Sequence, residues 1–175
     1  RDRYTTGEES ISGIFAAAAG NTIYFPIDGT TRDFVAYYPY RDLGQENTTY
    51  TVDVSDQSSQ KGIDLMGAAK VTGKHKNDPI VEFVFTHKLV KLALTIQADG
   101  TSLTADKLEG MTVKLSNQRT KATYDVVTGG SVTVDTQTAP ATLVLETNSK
   151  GTSAEGIVLP NNDTQGMELE FHLQG

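Results

Sequence analysis

Cysteine and tryptophan are absent from the 175 residues, and only 5 prolines occur. Without cysteine there is no disulfide scaffold, no thiol nucleophile and no thiolate metal ligand. The compartment stays open, because exported proteins also fold without disulfides. A basic excess is missing too: 15 Lys and Arg against 22 Asp and Glu give a net charge of −7. Such a chain offers no electrostatic footing to nucleic acid or to an anionic membrane surface. The longest apolar stretch, residues 89–96, is broken by Lys91 and Thr95 and falls far short of the roughly 20 residues a membrane-crossing helix needs. Nothing at the N-terminus has the pattern of a signal peptide. The opening Arg-Asp-Arg-Tyr, with no initiating Met, reads as a processed or trimmed product.

What is present favours strands. The 24 Thr and 14 Val are β-branched residues that suit a pleated, half-buried surface. Tyr50, Val52 and Val54 alternate with polar residues, as do Met111, Val113 and Leu115, then Val132 and Val134, then Met167, Leu169, Phe171 and Leu173. Each run predicts a strand with one dry face and one wet face. Further strands are predicted over residues 22–25, 33–38, 80–85, 92–97, 122–127, 141–146 and 156–160. Turn chemistry lies between them: Asp28-Gly29, Asp99-Gly100, and Gly129-Gly130, which reads as a hairpin turn. One capped helical turn is predicted from Thr104 to Gly110, and the spacing of Phe85, Leu89 and Leu92 predicts a brief helical crossing. About ten short strands with one or two helical turns make a single all-β, two-sheet sandwich over residues 1–175.

Chemistry is sparse by comparison. The three histidines, His75, His87 and His172, have neither the i, i+2 nor the i, i+4 spacing of a metal pair. His75, between Lys74 and Lys76, and His172, on a wet face, read as solvated surface; His87, after Phe83 and Phe85, reads as a partly buried structural histidine. Carboxylates are dispersed, so no catalytic pair is legible, and the 28–33 segment is an Asx turn in preference to a calcium loop. No phosphate loop or nucleophile elbow occurs. Neither catalytic, cofactor-binding nor metal residues are assigned. The run Tyr37-Tyr38-Pro39-Tyr40 reads first as core and rim packing, and second as a sugar-stacking platform.

Several segments occur together in a fixed order: N-T-I-Y-F-P at 21–26, D-F-V-A-Y-Y-P-Y at 33–40, Y-T-V-D-V at 50–54, Gln57, D-L-M at 64–66, F-V-F-T-H-K-L-V-K at 83–91, G-M-T-V-K-L at 110–115 and I-V-L-P at 157–160. In this combination the chain resembles the fimbrillin family of Bacteroidales, the type V pilins. The resemblance implies an exported, lipoprotein-derived subunit, or an accessory or tip adhesin, of fimbriae at the outer membrane and cell surface. It implies a transthyretin-like N-terminal-type sandwich of seven or more mostly antiparallel strands, here a fragment of a longer precursor. It also implies assembly with other fimbrial subunits by strand addition, after an Arg-specific protease removes an N-terminal strand, with Arg1 and Arg3 as the possible processing region. Tyr37, Tyr38, Pro39, Tyr40, Asp64, Leu65, His87 and Lys91 are the family motif positions and are read as fold-defining.

With the first credible strand placed near Thr22, and the alternating 167–173 run close to the last residue, the sandwich is expected to hold an open strand position. The competing expectation is a non-polymerising module that binds a glycan or a host protein through the tyrosine run and the loops at 47–48 and 161–165. An enzyme fragment ranks third, because no pair of residues has catalytic spacing.

Overall fold

The alternating run at 50–54 buries Tyr50, Val52 and Val54, and the run at 111–115 buries Met111, Val113 and Leu115; on these two rows the sandwich is built. The structure, a computed structural model, describes residues 3–6, 12–44, 46–160 and 166–174. In chain order the strands are β1 (Tyr4–Thr5), β2 (Ala16–Ala17), β3 (Arg32–Phe34), β4 (Tyr37–Tyr38), β5 (Thr49–Asp53), β6 (Met66–Ala68), β7 (Val71–Lys74), β8 (Phe85–His87), β9 (Val90–Thr95), β10 (Thr112–Gln118), β11 (Lys121–Asp125), β12 (Thr133–Val134), β13 (Ala141–Val144), β14 (Glu146–Thr147), β15 (Ser153–Val158) and β16 (Leu169–His172). Among the described residues helix is confined to α1 (Gln60–Ile63) and a 3-10 turn at Ala105–Leu108. Every described ladder is antiparallel, and the fold is the all-β class expected.

Two core clusters hold the molecule together. Sheet β13-β10-β16 packs Val113, Leu115 and Leu143 against Ala154, Leu92 and Leu94 of sheet β14-β15-β9. Sheet β12-β11-β5 contributes Tyr50, Val52, Ala122 and Tyr124 to the second cluster, together with Leu65, Leu89, Ile157 and Leu159. A single length of chain serves both clusters. β10 runs on into β11, and its buried set changes from Met111, Val113 and Leu115 to Gln118, Thr120, Ala122, Tyr124 and Val126. The switch of parity is a β-bulge: Asn117 has a positive φ of 54°, and the register against β13 shifts between Leu115 and Gln118. One extra residue turns the following side chains inward and bends the strand, and asparagine is among the few residues that tolerate the left-handed conformation. The inward polar residue is satisfied, since Gln118 Nε2 donates to the carbonyl of Ser116 at 3.1 Å.

The two faces of the first sandwich are also joined covalently. β13 pairs with β10, β14 pairs with β15, and only Leu145 separates them. Leu145 N–H donates to Val113 O at 2.9 Å, and its side chain is buried. One edge of the sandwich is thus closed by a strand that passes from one sheet to the other.

Gln57 ties the end of β5 to β15, a strand of a different sheet. It is 5% exposed, its Nε2 donates to Val54 O at 2.6 Å and Ile157 O at 2.9 Å, and its Oε1 accepts from Ile157 N–H at 2.8 Å. The ladder between β14 and β15 ends at Glu155, two residues before Ile157, so the side-chain amide supplies the donor and acceptor that a longer β14 would have supplied. Nearby, Tyr50 and Tyr124 lie directly opposite each other across β5 and β11. Both rings are buried, and neither phenol has a hydrogen-bond partner among the described residues; burial pushes both phenol pKa values up. β6 passes so close to Tyr124 that a Cβ at Gly67 would lie 2.0 Å from the phenol oxygen, so only glycine fits there.

Several sequence expectations are corrected. Residues 22–25 and 80–84 form no ladder among the described residues, and Tyr24, Ile80 and Val84 are exposed; their strand-like composition finds no neighbouring strand to pair with. The 33–38 segment divides into β3 and β4, which belong to different sheets. The predicted helical crossing is a corner between β8 and β9, with buried Leu89 as the apolar anchor that both strand ends share. A short ribbon, β1 with β2, precedes Thr22. The turn after Thr104 forms, but the Thr104 side chain makes no cap hydrogen bond. α1 was not anticipated, since its four residues carry no helical periodicity. The Asx turn is present, with Thr30 N–H donating to Asp28 Oδ1 at 2.9 Å, and β11 and β12 form the Gly129-Gly130 hairpin.

Two stability measurements follow from the buried polar groups. Gln57→Leu strands a buried N–H and two carbonyls and should cost about 2–4 kcal/mol in denaturant unfolding. Tyr124→Phe removes a hydroxyl that has no partner, so the same measurement should give unchanged stability or a gain of about 1 kcal/mol.

Candidate site: the open edge of the sandwich

Opposite the edge closed through Leu145, the first sandwich ends in two outer strands, β9 on one sheet and β16 on the other. Neither has a second ladder partner among the described residues. On β16, Leu169 lies directly opposite Leu115 and Phe171 opposite Val113, so all four side chains share the inward face. Their environments differ sharply: Leu115 and Val113 are 3% and 0% exposed, while Leu169 and Phe171 are 41% and 49% exposed. Met167 and Leu173 extend the row by the same period and are equally open. The expectation of a dry face over 167–173 is therefore corrected. The alternation points the right way, but no layer covers the row.

The main chain of β16 is open at the same positions. Ser116 N–H donates to Glu168 O at 2.9 Å, which makes Ser116 with Glu168 a hydrogen-bonded pair. By the alternation of antiparallel ladders, Lys114 with Glu170 and Thr112 with His172 are also hydrogen-bonded pairs. The N–H and C=O groups of Leu169 and Phe171 consequently point away from β10, along the free edge. Among the described residues, half-exposed apolar side chains and backbone groups without a ladder partner thus belong to the same positions.

The β9 edge is built differently. Ile96 N–H donates to Thr152 O at 2.8 Å, so Leu92, Leu94 and Ile96 turn their backbone groups toward β15, and Lys91, Ala93 and Thr95 face the free edge. Lys91 stands there in an ion pair with Glu155 at 2.6 Å. A lysine on an edge strand discourages pairing with another chain. β16 also carries charge on its outward row, at Glu168 and Glu170, and differs from β9 in its inward row, where Leu169 and Phe171 are exposed while Leu92, Leu94 and Ile96 are half-buried.

The motif residues are dispersed around this framework. Asp64 and His87, 23 positions apart, come together with His87 Nδ1 2.9 Å from Asp64 Oδ1. The His87 side chain is 63% exposed, which corrects the expectation of partial burial: His87 continues the row of Phe83 and Phe85 beyond the end of the core. Leu65 is fully buried, and its carbonyl accepts from Lys88 N–H at 2.8 Å. Tyr37 packs edge-on against Tyr50 with ring centroids 5.7 Å apart, and its hydroxyl donates to Arg41 O at 2.7 Å. Tyr38, joined to Pro39 by a cis peptide bond, and Tyr40 are exposed, and the Arg3 guanidinium lies 5.9 Å from the Tyr40 ring centre. His172 is on the surface, 2.9 Å from Glu170 Oε2, whereas His75 is half-buried in an isolated bridge with Asp78. Arg1 and the 161–165 loop lie outside the described residues. The motif residues therefore do not converge on one site, and the open edge includes only Lys91 among them. Its apolar row was visible in the sequence as period-2 alternation, but the alternation carries no information on the width of the opposing sheet.

Among the described residues no group of three or more His, Cys, Asp or Glu side chains could hold a metal ion, and no helix is long and apolar enough to cross a membrane. A fimbrillin-like family model matches residues 2–175. A Bacteroides uniformis protein assigned as fimbrium subunit Fim1C is 60% identical over 173 residues, which cover 99% of this chain and 56% of that protein. A crystal structure assigned as a cell adhesion protein, also from Bacteroides uniformis, superposes with a TM-score of 0.89 at 60% identity over 97% of this chain and 65% of its own. A second, from Bacteroides ovatus, shares the fold at 21% identity with a TM-score of 0.64, covering 93% of this chain and 66% of its own. The chain thus spans less than two thirds of the length of these relatives.

The edge geometry has a direct readout in amide hydrogen exchange. The N–H groups of Leu169 and Phe171 should exchange quickly and those of Glu170 and His172 slowly, and uniform rates along β16 would contradict the register.

Proposed function

The chain belongs to the fimbrillin-like family, and from that premise we propose that it is a structural, non-enzymatic subunit or accessory adhesin of cell-surface fimbriae, joined to other fimbrial subunits by strand addition at the open edge of β16. The observation that carries this reading is the coincidence, at Leu169 and Phe171, of half-exposed apolar side chains with backbone groups directed along a free edge. In strand addition the main chain supplies affinity and alternate side chains in pockets supply specificity. Covering Met167, Leu169, Phe171 and Leu173, and burying a matching row on the incoming strand, would contribute on the order of 5–15 kcal/mol of gross transfer energy. Association itself costs a comparable amount, so a short or mismatched strand would not hold and a full-length one would.

The same reading makes this chain the N-terminal-type domain of a longer, exported and lipoprotein-derived precursor anchored at the outer membrane, with Arg3 in or near the region cut during processing. A second reading has one observation in its favour: Tyr38 and Tyr40 are exposed and Arg3 stands beside the Tyr40 ring, an arrangement suited to a glycan or host-protein contact by a module that does not polymerise.

The test mixes the purified domain with synthetic peptides from the N- and C-terminal segments of the native full-length protein. At a hundredfold excess over Kd, a bound strand adds about 2.7 kcal/mol and should raise Tm by roughly 5–10 °C for a domain of this size. If no peptide shifts Tm, and Leu169 and Phe171 amides are already protected in the domain alone, assembly through this edge is wrong.

A further inference from the structure

The outward row of β16 carries two acids, Glu168 and Glu170, followed by His172. Glu168, Glu170 and His172 alternate with the inward apolar residues, and every described residue from 166 to 174 is exposed. Their neighbours on β10 are Ser116, Lys114 and Thr112. The strand already paired to β16 therefore presents hydroxyls and a cation to the two glutamates, and no acid. A strand added on the other side of β16 would lie at the same lateral spacing from the same side chains, because adjacent strands repeat at about 4.8 Å across a sheet.

We infer that the outward acids Glu168 and Glu170 select the incoming strand by charge, so that the open edge accepts a strand whose apolar residues fall opposite Leu169 and Phe171 and whose intervening residues are basic. The inference rests on the strand-addition reading and gives it a partner of stated chemistry, resembling β10 itself with Val113 and Leu115 inward and Lys114 outward. Cross-strand pairs of opposite charge stabilise a sheet, and like charges directly opposite destabilise it. An incoming acid would face two carboxylates, one of which already shares His172 as a neighbour at 2.9 Å. A lysine or arginine would complete on the free side what Lys114 provides on the paired side. The apolar row fixes the face of the incoming strand, and the acidic row distinguishes among strands with the same apolar pattern.

The experiment uses two nine-residue peptides with identical alternating valine and leucine positions, one with lysine and one with glutamate at the intervening positions, titrated into the domain at pH 8. The lysine peptide should bind about tenfold more tightly at low salt, and the difference should shrink in 0.5 M salt through screening. Glu168→Gln with Glu170→Gln should abolish the preference, while Glu46→Gln with Glu82→Gln, which removes the same charge from other loops, should leave it intact. Equal binding of the two peptides overturns charge selection and leaves strand addition standing. Loss of the preference in both double variants also overturns it, by assigning the effect to net charge. If neither peptide binds, strand addition at this edge falls, and the inference with it.

Discussion

One side-chain amide holds two strands of different sheets, β5 and β15, in register. Gln57 bonds Val54 at the end of β5 and both backbone groups of Ile157 on β15, across a separation of 100 residues. Each of those backbone groups is buried among apolar neighbours, where an unmade hydrogen bond costs the full desolvation of the group. The chain closes one of its longest loops around this contact, and loop-closure entropy grows only slowly with length. A short, well-satisfied polar contact can therefore fix the relation of distant strands. The surrounding packing depends on it: Gly156 lies so close to Gln57 and Leu145 that an added Cβ would come within 2.6 Å of the Leu145 side chain.

Around that clamp the sandwich is asymmetric. On one side the run through Leu145 joins the sheets covalently, and on the other β9 and β16 end without a shared neighbour. Natural sheets protect such edges by charge, bulges or cover. Both outer strands carry charge on their outward rows, Lys91 on β9 and Glu168 with Glu170 on β16, but only on β16 is the inward apolar row left exposed. That exposed apolar row is the feature on which the proposed strand addition depends.

The sequence made the fold class legible because alternation reports directly on facing: Tyr50, Val52, Val54, Met111, Val113 and Leu115 are all buried as the pattern demands. It could not reveal the bulge at Asn117, since the inward residues that follow, Gln118 and Thr120, are polar and look like a wet face. Residues 22–25 and 80–84 show the converse failure, in which β-propensity is present without a neighbour to pair with. The same limit applies to the candidate site. Leu169 and Phe171 were legible as one face of a strand, but their exposure depends on how far the opposing sheet reaches, which is a property of tertiary structure. Asp64 and His87 were both visible as motif residues, and their contact arises from the turn at α1 and the pairing of β6 with β8, which no local spacing encodes.

The strand that crosses from one sheet to the other at Leu145 also determines how the domain would bear a load. Force applied along the axis of β16 would be carried in shear, by several ladder bonds at once, toward a rim where one strand continues from sheet to sheet. Force applied across that axis would open the free rim one bond at a time. Resistance to pulling is governed by the rate of unfolding rather than by equilibrium stability, so the two directions would differ in the barrier that has to be crossed. A domain with this topology would best withstand force directed along the strands.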